Sequence, residues 1–116
     1  MKMYILLKAS VPDSFAPVIA AHASLACYKK YEEDTAMQQW IQGIFKKVVC
    51  RVNDKEFENA KKEARHIVLT ESALENQEVC IAFCPREVYS KQFRFFRMWS
   101  PADIKNHPES KTFQDD

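Results

Sequence analysis

The run Tyr4-Ile5-Leu6-Leu7, then Ala9-Ser10-Val11-Pro12-Asp13-Ser14, then a long helical pattern holding Ala21-His22-Ala23 decides how this chain folds. Consecutive apolar residues closed off by turn residues read as a strand buried on both faces. A strand, a tight turn and a helix form the first half of a βαβ unit. In open α/β sheets ligands sit outside the carboxyl ends of the strands. Ser10, Asp13 and Ser14 fall at that end, with His22 about two turns into the helix.

Outward from this stretch, the first strand spans about Lys2–Lys8. The helix starts near Pro17, since proline suits a first helical turn. Val18, Ile19, His22, Leu25 and Ala26 recur at helical spacing and predict its apolar face. A second helix is expected over Thr35–Gln42, with Met37, Trp40 and Ile41 inward, ended by Gly43, the only glycine. Phe45–Val52 reads as the second strand. Asn53 and Glu56 have the spacing of a capping box, and Phe57, Ala60 and Ala64 give the helix after them a buried stripe. His66–Thr70 is the third strand, Ser72–Gln77 a polar loop and Val79–Phe83 the fourth strand. The last two strands are too close in sequence for a crossover helix and predict an antiparallel pair. A helix is expected after Pro85, with Tyr89, Phe93 and Phe96 on one side. The order predicts a single α/β domain over residues 1–99. It is a three-layer α/β/α sandwich around a four-stranded mixed sheet, followed by a polar C-terminal tail over residues 100–116.

Composition narrows the function classes. The 116 residues are 47% hydrophobic and 28% charged, with 17 Lys and Arg against 16 Asp and Glu, a formal net charge of +1. That balance gives no whole-chain attraction to nucleic acid, and no DNA partner is expected. No apolar stretch approaches the length of a membrane span, and the first residues lack the pattern of a signal peptide; a cytoplasmic protein is expected. Cys27, Cys50, Cys80 and Cys84 form no C-x-x-C pair, and Cys80 and Cys84 share a strand face, too far apart to bridge. Free buried thiols are expected, with neither metal nor cofactor.

The opening Lys2-Met3-Tyr4-Ile5-Leu6-Leu7, the motif Ala21-His22-Ala23 … Ala26-Cys27-Tyr28, the strand at Lys46-Lys47-Val48-Val49 and the order of elements resemble the type-II peptidyl-tRNA hydrolase family. The likeness runs from Lys2 to about Trp99. It implies hydrolysis of the ester between a peptide and the end of a tRNA, carried by a lysine, the histidine, an aspartate ending the third strand and nearby threonines. It also implies a homodimer. Residue by residue, His22 matches. The motif lysine falls on Phe15, the glycine before it on Ser14, the glutamine on Ile19 and the aspartate on Glu71. The loop Glu71-Ser72-Ala73-Leu74-Glu75 is shorter than the family's, with Leu74 in place of arginine and Glu75 in place of threonine.

These replacements have chemical consequences. An ammonium can hold a phosphate or stabilise an oxyanion, and losing one such donor costs on the order of 10²–10³ in rate. Leucine in place of arginine removes a phosphate contact, and an added glutamate repels one. The resemblance with these losses implies a divergent member that binds a small or nucleotide-like ligand near His22 and Glu71 without the parent activity. Two other readings stand beside it. One is an active esterase on peptidyl- or aminoacyl-tRNA, with His22 and Glu71 as catalytic groups activating water. The other is a non-catalytic homodimeric interaction module, in which His22 is merely packed on an apolar helix face. Candidate binding residues are Lys8, Ser10, Ser14, Phe15, Thr70 and Ser72, Lys8 being a substitute cation. The cation–aromatic stretch Phe93–Trp99 is either an RNA-stacking surface or, as preferred here, core aromatics with solvated arginines.

Overall fold

A computed structural model describes residues 1–101. Eight regular elements follow one another: β1 (Met3–Lys8), α1 (Ala16–Lys30), α2 (Thr35–Gln42), β2 (Lys47–Val52), α3 (Asp54–Ala60), β3 (His66–Glu71), β4 (Gln77–Phe83) and β5 (Arg97–Met98). The sheet has the order β3-β4-β1-β2-β5. β1 and β2 are parallel, with Met3 beside Lys47 and Lys8 beside Val52. β4 is antiparallel to both β1 and β3. The carboxyl ends of β1, β2 and β3 therefore lie along one margin of the sheet.

Alternation along the strands divides the core in two. Met3, Ile5 and Leu7 of β1 and Cys80 and Ala82 of β4 face α1 and α2, against Ala16, Ile19, Ala23, Cys27, Met37 and Trp40. Leu6, Cys50, Val52, Ile81 and Phe83 face the other way, against Phe57 and Ala60 of α3 and the rings of Phe93 and Phe96. Helices on both faces and the antiparallel β3–β4 pair are as the sequence predicts. So is the capping box: the Asn53 side chain accepts from Glu56 N at 2.8 Å and Glu56 accepts from Asn53 N at 2.9 Å.

Four expectations need correction. The sheet has five strands, not four. No α-helix follows Pro85 among the described residues: a 3₁₀ turn over Lys91–Phe95 leads into β5, which pairs with β2 through Cys50–Met98 and Arg51–Arg97. Tyr89, Phe93 and Phe96 still converge, because Phe93 lies 4.7 Å from Tyr89 and 5.1 Å from Phe96 between ring centroids. Arg94 and Arg97 are exposed and Phe93 and Phe96 buried, as core aromatics with solvated cations require, but Phe95 (77% exposed) faces out with the arginines. Third, α1 buries Ala16, Ile19, Ala23 and Cys27 and turns Val18 (56% exposed), His22 and Leu25 (61%) outward. Small residues on the inner stripe let the helix lie close to the sheet, and bulk alone misplaces the stripe by about a third of a turn. Fourth, α3 ends at Ala60, leaving Ala64 exposed, and α2 buries Met37 and Trp40 but not Ile41, which is 38% exposed. Of the expected tail over residues 100–116, only Ser100 and Pro101 are described; the rest lies outside the described residues.

Candidate functional site

The chain leaves β1 toward α1 on one face of the sheet and leaves β2 toward α3 on the other. A crevice thus opens between the carboxyl ends of these adjacent parallel strands, the place where α/β sheets hold ligands. Two clefts meet there at Ala9 and Arg51. One, of about 470 Å³, is lined by Ala9, Ser10, Val11, Pro12, Asp13, Ser14 and Arg51. The other, of about 260 Å³, is lined by Ala9, Arg51, Val52, Asn53, Glu56 and Arg97.

Arg51 sits between them, only 7% exposed. Its Nη2 donates to Asp13 Oδ1 at 3.0 Å and to the Ser100 carbonyl at 2.7 Å, and its guanidinium carbon lies 5.0 Å from the centroid of Trp99. One side chain thus ties the turn after β1, the last residue of the β2–β1 ladder but one, and the chain beyond β5. A guanidinium carries five N–H donors, and the two bonds described use one nitrogen. Reading the sequence in segments missed this residue. Its signal was a lone charge inside Val48-Val49-Cys50-Arg51-Val52, a strand otherwise apolar.

The residues singled out from the sequence are only partly brought together. Ser10 and Ser14 are exposed on the rim of the larger cleft, with Asp13. Phe15, where the resemblance puts the motif lysine, is half-buried and packs into the α1-side core, as does Leu74; Ile19, where it puts the glutamine, is 2% exposed. Three apolar side chains therefore stand where the resemblance implies polar ones. His22 is exposed on the flank of α1. Glu71 ends β3, half-buried, and one of its carboxylate oxygens accepts from Ala73 N at 3.2 Å; it thereby caps the 3₁₀ turn Ser72–Leu74. Thr70 and Ser72 are exposed beside it. None of the clefts described here has His22 or Glu71 in its lining. Lys8 does not join His22. It projects to the α3 face, with Nζ 4.7 Å from the centroid of Phe57 and 3.9 Å from Asp54 Oδ1, because it shares parity with Leu6 rather than Leu7.

Two apolar clefts follow the opposite flank of α1. One, of about 450 Å³, is lined by Ser24, Leu25, Tyr28, Trp40, Ile41, Phe45 and Lys47. The other, of about 210 Å³, lies between Ala16, Pro17, Ala20, Leu7, Val49 and Trp99. The cysteines are buried thiols: burial pushes Cys27 up to about 12 and Cys50 and Cys84 up to about 11. No group of three or more metal-ligating side chains occurs among the described residues, and no helix among them is long and apolar enough to cross a membrane.

A family profile described as "Peptidyl-tRNA hydrolase PTH2" matches residues 1–87, which runs from β1 through β4. No curated protein matches the chain.

Proposed function

Since the chain belongs to the type-II peptidyl-tRNA hydrolase family, we propose that it uses the family's ligand-binding margin to hold a small or nucleotide-like ligand, without the parent ester hydrolysis. The observation that carries this reading is Phe15. Where the resemblance puts the family's lysine stands an aromatic ring packed, like Leu74, against the α1-side core that holds Ile19 at 2% exposure. An apolar cluster can neither stabilise an oxyanion nor hold a phosphate. The polar groups that remain at this margin are Ser10, Ser14 and Arg51 in the crevice, with His22, Thr70, Glu71 and Ser72 beyond α1. We place the ligand's anionic end at the Arg51 crevice, since Arg forks suit phosphate. His22 and Glu71 are the residues that would meet its remainder. The protein is proposed to act in the cytoplasm, as a homodimer, with the end of a tRNA among the ligands to be tried.

A second reading is a working esterase, favoured by the exposure of His22, which leaves its imidazole open to a substrate. Single-turnover cleavage of an N-acetyl-aminoacyl-tRNA, with His22→Ala alongside, separates the two. The first reading expects background cleavage from both proteins. It also expects an oligonucleotide ending in the tRNA acceptor sequence to raise the melting temperature of the wild type. Cleavage that disappears in His22→Ala establishes the esterase instead, and absence of both cleavage and binding overturns both readings.

A further inference from the structure

The loop between α2 and β2 is built around one strained residue. Phe45 holds a φ of 40°, in the left-handed region that a ring-bearing residue enters only when its surroundings impose it. Those surroundings are specific. Lys47 Nζ donates to the Phe45 carbonyl at 2.9 Å, and the Phe45 ring stands edge-on to Trp40 at 6.1 Å between centroids. Trp40 is itself fixed, because its Nε1 donates to the Lys46 carbonyl at 2.8 Å. The loop thus presents two rings in set orientations beside the flank of α1 that carries Leu25 and Tyr28.

Between loop and helix lies the apolar cleft of about 450 Å³, within the size range of small-molecule sites. Its rim keeps large apolar side chains in water: Leu25 is 61% exposed, Phe45 48% and Ile41 38%. Apolar side chains gathered in this way mark a binding surface rather than a solvated face. Lys47 is the only lining residue charged at neutral pH. No carboxylate among the described residues lies within ion-pair distance of it. Its Nζ sits 5.4 Å from the Trp40 ring centroid and 4.8 Å from that of Phe45. An ammonium has three N–H donors, and the Phe45 carbonyl takes one. Tyr28 adds a hydroxyl that makes no hydrogen bond among the described residues.

We propose that this cleft is a second ligand site, for a small aromatic acid whose ring lies against Tyr28, Trp40 and Phe45 and whose carboxylate meets Lys47. Three features choose that class. Aromatic walls supplied by α1, α2 and the loop favour a flat ring, packed offset or edge-on. The Lys47 ammonium already occupies the place that a ligand cation would take over the Trp40 and Phe45 rings, so a second cation is repelled. The same ammonium, unmatched by any carboxylate of the fold described here, attracts an anion and offers it a charge-assisted hydrogen bond. The site shares no lining residue with the two clefts at Arg51. Lys47 opens β2 and Arg51 lies near its close, so this site stands or falls apart from the ligand proposed there.

The test titrates the full chain with 2-naphthoate while its backbone amides are followed by NMR. An uncharged probe, 2-naphthylmethanol, and a non-aromatic acid, cyclohexanecarboxylate, serve as controls. The expected result is saturable binding of 2-naphthoate at about 1 mM or tighter, with the shifts centred on residues 24–28 and 40–47. Both controls bind about tenfold more weakly, and Lys47→Gln weakens 2-naphthoate by about tenfold while leaving 2-naphthylmethanol unchanged. Leu25→Glu sets a repelling carboxylate on the rim and abolishes 2-naphthoate binding. Lys47 and Leu25 are both exposed, so neither change disturbs the core, and should one variant fail to fold the other decides. No saturation, or shifts confined to other residues, overturns the site. Equal affinity for either control, or a Lys47→Gln that binds 2-naphthoate as the wild type does, overturns the aromatic-acid class.

Discussion

Arg51 Nη2 lies 3.0 Å from Asp13 Oδ1, an ion pair whose arginine side chain is 6% exposed and whose aspartate is 27% exposed. It joins strand β2 to the turn in which the chain crosses from β1 to α1. Removing one member of a buried pair leaves the other uncompensated, at a typical cost of about 3–5 kcal/mol. Asp13 can partly rehydrate, so Arg51→Met is expected at the lower limit, about 3 kcal/mol by urea denaturation. The same variant should lose any response of the melting temperature to a nucleotide phosphate. A loss under about 1 kcal/mol would mean that the pair is held in water rather than in the protein.

Ile19 tests the proposal that positions where the resemblance implies polar residues belong to the core here. It is 2% exposed within the cluster of Met3, Ile5, Leu7 and Ala23. Ile19→Gln installs the residue type that the resemblance implies there and buries an amide among apolar neighbours, which costs about 1–3 kcal/mol for the unpaired polar group. Thermal unfolding of Ile19→Gln should shift down by several degrees. An unchanged melting temperature would reveal an unnoticed hydrogen-bonding partner at that position, and with it a surviving polar site.

Much of this fold was legible because local and tertiary signals agreed. Thr35–Gln42 and the Asn53–Glu56 capping box are set by neighbours in sequence, and both appear where the spacing puts them. β5 was not legible: Arg97 and Met98 form a strand only because β2 offers an open edge, which no local pattern announces. The orientation of α1 failed for a different reason. Alanine and cysteine carry little hydropathic weight, yet Ala16, Ala23 and Cys27 line the sheet while Val18 and Leu25 face water. The site divides the same way. His22, Ser10 and Ser14 could be found by residue type and position, whereas Arg51 acquires its place only when the β1–α1 turn and the chain after β5 close around it.

The thiols provide a check on the core that needs no mutation. Burial pushes Cys27 up to about 12 and Cys50 and Cys84 up to about 11, and it raises Cys80 as well. All four are at most 1% exposed. A raised thiol carries almost no thiolate at pH 8, and the thiolate is the reactive form. Ellman's reagent should therefore release no rapid colour from the native protein at pH 8 and four equivalents in denaturant. One fast equivalent in the native state would mark an opened α1–β4 contact.

Asp34 sets the expected response to acid. It caps α2, accepting from Ala36 N at 2.8 Å and Met37 N at 3.3 Å, and it pairs with Arg65 Nη1 at 2.8 Å. Burial alone would raise its carboxyl, but the two backbone donors and the Arg65 guanidinium together hold it below the usual carboxylate range. A carboxyl depressed in the folded state binds its proton more weakly there than in the unfolded chain, whose aspartates titrate near about 3.9. Its stabilisation is thus complete above the unfolded value and is lost as pH falls through the folded one. Asp34→Asn keeps the cap and loses the ion pair, and should cost about 0.5–1 kcal/mol at pH 7. Asp34→Ala loses both, for about 1–2 kcal/mol. Urea titrations from pH 7 downward should show the gap between wild type and Asp34→Asn begin to narrow near about pH 4, where the unfolded carboxyl takes up its proton, and close once pH passes the lower folded value. A gap that persists undiminished to pH 2 would assign the stabilisation to hydrogen bonding alone and not to charge.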